Sequence, residues 1–184
     1  MSSQSTPTVA DPAPLGLAGF ALTTFVLSAV NAGWLPKAGE PVVLGLAAAY
    51  GGLAQLCAGM WEFKRNNTFG ATAFSSYGAF WIAFYLLITF NVGGIPPEAR
   101  PSAIGFFLLA WGIFTAYMTV GAMNLSKPVL VVFVLLTITF FVLAIGAFAS
   151  QPGISTLGGY CGIVTAIAAW YASAKTVIAS TKKT

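Results

Sequence analysis

Chemically reactive side chains are scarce in this sequence. Its 184 residues include no histidine, only four acidic residues and only two cysteines, Cys57 and Cys161. Without histidine, neither a Ser/His pair nor histidine ligation of a haem is available. Both cysteines lie inside apolar runs, where a buried core position is expected, and two cysteines make neither a disulfide framework nor a metal site. We therefore expect no enzyme activity, no bound metal and no cofactor.

Charge of either sign is also scarce. Only 7% of the residues are charged and 58% are hydrophobic, whereas a soluble domain is about 25% charged because it must cover its surface. The apolar surface must therefore face lipid, which makes the bilayer the expected partner. The net charge of +4 does not indicate a nucleic-acid partner, because the basic residues are scattered and form no stripe.

Six apolar stretches are long enough to cross a membrane, which takes about 20 residues in a helix. They are 15–34, 41–61, 70–92, 102–122, 128–149 and 156–177. The breaks between them are short, so consecutive helices are expected to be antiparallel neighbours. We predict an all-α membrane protein, a six-transmembrane-helix bundle over residues 15–178, with an N-terminal tail at 1–14 and a C-terminal tail at 179–184.

The distribution of lysine and arginine predicts the orientation of the bundle. If the N-terminus is cytoplasmic, only Lys37 and Arg100 fall on the outer side. The remaining basic residues fall on the inner side: Lys64, Arg65, Lys127, Lys175, Lys182 and Lys183. Cytoplasmic loops carry the excess of positive charge. We therefore expect both termini to be cytoplasmic, in a multi-pass protein of the plasma membrane.

The polar residues expected inside the spans are neutral. The four acidic residues lie at or beyond the span ends, so no carboxylate is expected at mid-membrane, where it would indicate a proton relay or an ion site. Hydroxyls and amides could replace part of the hydration of a small solute. Threonines such as Thr23 and Thr24 could equally bond backbone carbonyls. Gln55 lies in mid-span and is a candidate for the lining of a wet cavity.

Three bulky side chains lie at the same depth in the odd-numbered spans. Phe20 follows Pro12 by eight residues, Tyr77 follows Phe69 by eight, and Leu136 follows Pro128 by eight. At about 1.5 Å per residue, each lies roughly 12 Å from the start of its helix. Such a layer could close a pore by excluding water, although spacing alone is also consistent with ordinary packing.

Two segments resemble a known family. The stretch DPAPLGL, residues 11–17, is similar to the Asn-Pro-Ala-Pro-Leu-Gly-Leu signature of the acetate uptake transporters, the succinate–acetate permease family. The segment 50–81, YGGLAQLCAGMWEFKRNNTFGATAFSSYGAFW, is also similar to that family. The resemblance implies transport of acetate and related short monocarboxylates, with succinate as a further candidate. It also implies a homohexamer with a pathway through each protomer.

The resemblance also assigns roles to individual residues. It implies a pore constriction formed by Phe20, Tyr77 and Leu136. Asp11 stands where the family signature has asparagine; either residue can cap a helix, but a carboxylate at the mouth could repel an anion. We expect Asp11 and Glu62 at the cytoplasmic mouth, and the substrate pathway along Thr23, Thr24, Gln55 and Tyr77.

The expected mechanism follows from the uncharged interior. A bare carboxylate is costly to move through an apolar layer, so the substrate itself is expected to carry the proton, in a channel-like or proton-linked manner. One alternative is a pore for small neutral solutes such as urea, ammonia or small amides, because the same uncharged lining would suit them. Another is a membrane scaffold or sensor, which would need no wet pathway.

Overall fold

A computed structural model describes residues 9–182 and contains six long helices in that range. Their bounds are Ala13–Asn31 (α1), Lys37–Lys64 (α2), Thr68–Gly94 (α3), Arg100–Ala122 (α4), Lys127–Phe148 (α5) and Pro152–Thr181 (α6). Each is long and apolar enough to cross a bilayer. The prediction of an all-α, six-span bundle is confirmed. Most of the predicted N-terminal tail, residues 1–8, and Lys183 lie outside the described residues.

Prolines mark the helix starts, and the bundle extends beyond both of its predicted bounds, 15 and 178. A proline lies in the first turn of α1, α4, α5 and α6, where its missing N–H costs no hydrogen bond. Helix α1 begins at Ala13, two residues earlier than predicted. Helix α6 continues to Thr181 and so includes residues 179–181, which the sequence analysis assigned to the C-terminal tail.

The helices form a ring around a shared interior. Helix α1 packs between α6 and α2, α5 packs between α4 and α6, and α3 packs along α2. The backbones of α3 and α4 scarcely approach each other. These two helices meet through aromatic side chains instead: Phe80 of α3 stacks on Phe107 and lies edge-on to Trp111 of α4. On this side the interior is therefore bounded by aromatic side chains.

Close helix contacts depend on small residues. A Cβ atom at Gly162 of α6 would collide with Ser28 of α1, and one at Gly158 would collide with Leu143 of α5. Their small size lets the helix backbones approach where lipid supplies no hydrophobic drive. Gly45 behaves differently, because a Cβ there would meet no atom within 4 Å. It faces out of the bundle.

Two helices contain a wide π-helical turn. In α2 it spans Ala49–Ala54, directly before Gln55, and in α3 it spans Leu87–Asn91. Such turns shift the direction of the side chains that follow and are common near functional sites. Both lie next to interior cavities, because Gln55 and Leu87 line them.

Candidate functional site

Two cavities lie inside the bundle, at different levels. We call the end at which α1 begins the near end and the opposite end the far end. The far cavity has a volume of about 260 Å³ and is lined by residues of α1, α3, α4 and α5, with Glu40 and Ser155 beside them. The near cavity measures about 20 Å³. It is lined by Leu17, Phe20, Gln55, Ala73, Phe74, Tyr77, Val132, Phe133 and Leu136.

The predicted constriction lies between these cavities. Phe20 and Leu136 line both of them. Along α1, α3 and α5 the near-cavity residues end at Phe20, Tyr77 and Leu136, and the far-cavity residues begin at Phe20, Phe80 and Leu136. The rings of Phe20 and Tyr77 have centroids 5.9 Å apart. All three predicted side chains are buried, with exposed fractions of 3–4%. The structure thus brings them together at one level.

The two cavities differ in what they could hold. A water molecule needs a cavity volume of about 10–15 Å³. The near cavity therefore has room for one water. The far cavity has room for a molecule with several heavy atoms. Passage between the cavities therefore requires the layer of Phe20, Tyr77 and Leu136 to move.

The Tyr77 hydroxyl is already engaged. It lies 2.9 Å from Thr115 Oγ1, and Thr115 in turn donates to the Trp111 carbonyl oxygen at 2.7 Å. Because threonine has one hydroxyl proton, Tyr77 is the donor in the first bond. We expected Tyr77 on the substrate pathway. The structure places Tyr77 in the lining of the near cavity and commits its hydroxyl proton to Thr115 of α4.

The neighbouring threonines Thr23 and Thr24 face different surroundings. Thr23 donates to the Gly19 carbonyl oxygen at 2.9 Å and packs against Gly51 of α2. It does not belong to the lining of either cavity described above, although we expected it on the pathway. Thr24 lines the far cavity. Its Oγ1 has no hydrogen-bond partner among the described residues.

Gln55 lies at the near cavity, where a mid-span amide was expected. Its side chain is 1% exposed, and its Oε1 has no partner within residues 9–182. A primary amide carries both a donor and an acceptor. Gln55 can therefore bond a water molecule in the near cavity, and it can bond either a carboxylate or a protonated acid once that cavity widens.

The far cavity is mostly apolar with a few polar groups. Leucine, isoleucine and phenylalanine side chains form most of its wall. The polar members are Thr24, Ser28, Asn31, Glu40, Trp81, Thr139 and Ser155. Glu40, at the start of α2, is the only charged residue among those that line it. Trp81 could not be recognised as a lining residue from the sequence, because a tryptophan in an apolar run is typical of ordinary core packing.

Asp11 and Glu62 lie together at the near end, joined by Arg65. Arg65 forms an ion pair with Asp11 and lies 3.7 Å from Glu62 Oε2. Asn67 also donates to Glu62 Oε2, at 2.9 Å, and Asp11 Oδ1 accepts from the backbone N–H of Ala13. Asp11 is partly exposed, whereas Glu62 is fully buried. Neither Asp11 nor Glu62 lines the near cavity. Arg65 offsets the charge of Asp11 at the edge of the bundle.

A ring of six membrane-capable helices around an interior whose polar groups are mostly uncharged, closed by an apolar layer, is typical of a multi-pass membrane protein that encloses a small solute. The chain belongs to the GPR1/FUN34/yaaH family, whose model matches residues 1–184. The resemblance inferred from the two sequence segments is confirmed.

Several relatives carry names that describe transport. The chain is 43% identical over 177 residues to acetate permease A of Emericella nidulans, covering 88% of this chain and 59% of the relative. It is 42% identical over 167 residues to ammonia transport outward protein 2 of Saccharomyces cerevisiae, with the same coverage. It is 37% identical over 163 residues to the succinate-acetate/proton symporter SatP of Escherichia coli, covering 89% and 86%. The chain thus spans about 59% of the length of these fungal relatives.

A solved structure has the same fold. The bacterial acetate channel SatP superimposes with a TM-score of 0.87 at 36% identity, and the match covers 93% of each chain. These relatives are named as transporters or channels rather than as enzymes, in agreement with the sequence analysis.

Proposed function

We propose that this protein transports acetate and related short monocarboxylates across a membrane, through the interior of its own six-helix bundle. The observation that carries the proposal is the pair of cavities on either side of the Phe20–Tyr77–Leu136 layer. The similarity to an acetate permease, a succinate-acetate/proton symporter and an acetate channel supports the choice of substrate. Succinate is a further candidate substrate on the same basis.

The mechanism follows from the physical contrast between the cavities and the layer. The far cavity can receive a short acid among hydroxyl and amide groups, whereas the near cavity, with room for one water beside Gln55, must widen to receive it. The layer between them offers no polar replacement for the hydration of a carboxylate, whose transfer into an apolar environment is costly. The protonated acid crosses at much lower cost, so the substrate carries its own proton, in a channel-like or proton-linked manner.

The setting that we propose is the plasma membrane, with both termini in the cytoplasm. The basic residues near the helix ends favour this orientation. The near end, with Asp11 and Glu62, is then the cytoplasmic mouth. We also propose that the protein is a homohexamer with one pathway per protomer. An outward-facing stripe of small and apolar residues on α2, with Gly45 at its middle, is available for contact between subunits.

Labelled-acetate influx into proteoliposomes tests the proposed function. The purified protein should give saturable influx that is accelerated by an inward proton gradient and inhibited by formate, propionate or lactate. Adding unlabelled succinate tests the wider substrate range. Influx no faster than that of protein-free liposomes, with or without the gradient, would contradict the proposal.

A pore for small neutral solutes is the second candidate. The uncharged lining of the near cavity suits such solutes, and one yeast relative is named for outward ammonia transport. Liposome swelling with acetate and with urea, at two pH values, separates the candidates. Carboxylate transport predicts swelling with acetate that increases at the lower pH, whereas a neutral-solute pore predicts swelling with urea at both. Urea swelling without acetate swelling would favour this second candidate.

A further inference from the structure

A groove lies on the outside of the bundle, between the start of α5 and the last part of α6. It has a volume of about 270 Å³ and is lined by Lys127, Pro128 and Val131 of α5 and by Ala168 and Tyr171 of α6. Three of these side chains, those of Lys127, Val131 and Tyr171, are exposed. We call it the α5–α6 groove. The proposed transport function does not use it.

Helix length places the α5–α6 groove at the membrane surface. Helix α6 has 30 residues and is therefore about 45 Å long, whereas the hydrocarbon core of a bilayer is about 30 Å thick. Tyr171 lies about 28 Å along α6 from Pro152, and Lys127 is the first residue of α5. Tyrosine and lysine are both favoured at the boundary between hydrocarbon and headgroups. The groove therefore lies at the level of the lipid headgroups on the near side.

The charge around the groove is positive and is not neutralised by the protein. Residues 99–184 include no aspartate or glutamate. At the near end of α5 and α6 the charged residues are Lys127, Lys175 and Lys182, and all three are exposed. The two ion pairs within residues 9–182 both belong to Arg65. The three lysines are therefore available to an anion from outside the chain.

Lys175 lies on the groove side of α6. It follows Tyr171 by one turn, about 40° around the helix and about 6 Å closer to the near end. Asp11 also lies beside α6, but it borders a separate groove with Ser173 and Val177. These two residues are at least about 120° away from Tyr171 around the helix. The carboxylate of Asp11 thus lies beside a different face of α6 from Lys175.

The α5–α6 groove combines this positive rim with an apolar floor. Val131 and Ala168 belong to the floor, and the exposed side chains of Ile138 on α5 and Val164 on α6 continue it toward mid-membrane. A free phosphate ion would gain nothing from this surface. A phospholipid can place its phosphate at the lysines and an acyl chain along the floor, and basic pockets between transmembrane helices bind anionic headgroups in this way.

We propose that the α5–α6 groove binds an anionic phospholipid from the leaflet at the near end. The headgroup phosphate lies between Lys127 and Lys175, the Tyr171 hydroxyl donates a hydrogen bond to it, and an acyl chain covers Val131 and Ala168. In the proposed orientation this is the cytoplasmic leaflet, whose surface is negatively charged. The inference requires the membrane-spanning fold and is independent of what the protein transports.

Binding of tritiated phosphatidylglycerol to the purified protein in detergent, measured by scintillation proximity, tests the groove. Unlabelled phosphatidylglycerol should compete about tenfold better, or more, than phosphatidylcholine with the same acyl chains. Sodium phosphate should compete no better than sodium chloride of the same ionic strength. Lys127→Gln and Lys175→Gln should each weaken binding about fivefold, and the double variant about 30-fold, from the contribution of one lysine near an anionic lipid.

Two matched substitutions provide controls for charge and for bulk. Lys64→Gln removes an exposed lysine from the near end of α2, which packs on α1 and α3. It should change binding by less than twofold. Ala168→Leu fills the floor of the groove and should weaken binding several-fold. Ala103→Leu, at an exposed position near the far end of α4, should not.

Several outcomes would overturn the inference. Equal competition by the two phospholipids, or an equal effect of Lys64→Gln and Lys127→Gln, would mean that the groove does not select an anionic lipid. Competition by sodium phosphate beyond that of sodium chloride would indicate a site for free anions instead. Unchanged binding in Ala168→Leu would also overturn it, and a smaller oligomer of that variant in native mass spectra would then assign the groove to a neighbouring subunit. If Ala168→Leu does not elute like the wild type in size-exclusion chromatography, the comparison of Lys127→Gln with Lys64→Gln decides.

Discussion

Tyr77 donates its phenolic proton to Thr115 across the gap between α3 and α4, at an oxygen–oxygen distance of 2.9 Å. This bond holds the tyrosine ring in the layer between the two cavities, beside Phe20. It also joins two helices whose backbones scarcely approach each other. The hydroxyl of Tyr77 therefore has a structural role in this layer, and the ring is the part that we expect to border the proposed pathway.

Substitution of Tyr77 separates these two roles. Tyr77→Phe should retain acetate influx within about threefold, because the ring remains, and lower stability by about 0.5–1.5 kcal/mol through the lost bond. Tyr77→Ala should instead open the layer and admit larger acids. Influx of acetate and butyrate, together with thermal unfolding in detergent, measures both effects. Loss of influx in Tyr77→Phe with unchanged stability would show that the hydroxyl binds the substrate after all.

Leu136 is the aliphatic member of the layer. Leu136→Ala should widen the constriction and increase influx of butyrate relative to acetate several-fold. It should also lower stability by about 2–5 kcal/mol, as expected for truncation of a buried leucine. Uptake by proteoliposomes at matched protein content checks the first effect and thermal unfolding the second.

Ile138→Ala provides the control for Leu136→Ala. Ile138 lies on the same helix, two residues away, and is 46% exposed on the outer face. Its truncation should leave the butyrate-to-acetate ratio unchanged. An unchanged ratio in Leu136→Ala as well would mean that the pathway does not pass this residue, and a scaffold or sensor would then account better for the fold.

The stability that the Asp11–Arg65–Glu62 cluster provides should depend more on Arg65 than on Asp11. Asp11→Asn keeps a side-chain oxygen that can cap α1 and loses only a partly exposed ion pair, so stability should change by less than about 1 kcal/mol. Arg65→Gln removes positive charge beside the buried Glu62 and should cost about 1–2 kcal/mol more. Thermal unfolding compares the two variants.

A double substitution checks the cause of that difference. If unpaired charge on Glu62 is responsible, Glu62→Gln combined with Arg65→Gln should recover part of the stability lost in Arg65→Gln alone. A purely additive loss would indicate that Arg65 acts through Asp11 or through packing. In that case Asp11, which stands where the family signature has asparagine, would matter more for stability than Glu62.

The helices were predictable from the sequence because burial in lipid demands long apolar runs, and such runs are readable residue by residue. The level of Phe20, Tyr77 and Leu136 was also predictable, because the rise of a helix converts residue number into depth. Both predictions depend on distance along a helix axis, which the sequence encodes directly.

The rotation of each residue about its helix was much less predictable. Thr23 and Thr24 are adjacent, about 100° apart around α1, and only the structure shows that Thr24 lines a cavity while Thr23 packs on Gly51. In a membrane, apolar residues face both lipid and interior, so hydropathy does not mark the inner face. Trp81 was missed for this reason. The role of Arg65 was missed because its contact with Asp11 spans 54 positions of the chain.

The outward stripe on α2 is the proposed contact between subunits, and a larger side chain at its centre should disrupt the oligomer. Val42, Gly45, Ala49 and Leu53 follow one another at helical spacing and are exposed. If another subunit packs here, Gly45→Leu should prevent close approach and shift native mass spectra from hexamers to smaller species. Gly153→Leu, at a site that also has nothing within 4 Å, is the control. A hexamer that persists in Gly45→Leu would place the subunit interface on another face.

The pH dependence of acetate influx should identify the proton carrier. A short carboxylic acid has a pKa near that of an aspartate or glutamate side chain, so its protonated fraction rises about tenfold for each pH unit from 7 toward 5. If the protonated acid crosses the layer, influx at a fixed total acetate concentration should rise over this range. Glu62→Gln should retain the rise, because Glu62 lies outside both cavities. If that variant loses the rise while keeping its influx at pH 7, the protein carries the proton through Glu62.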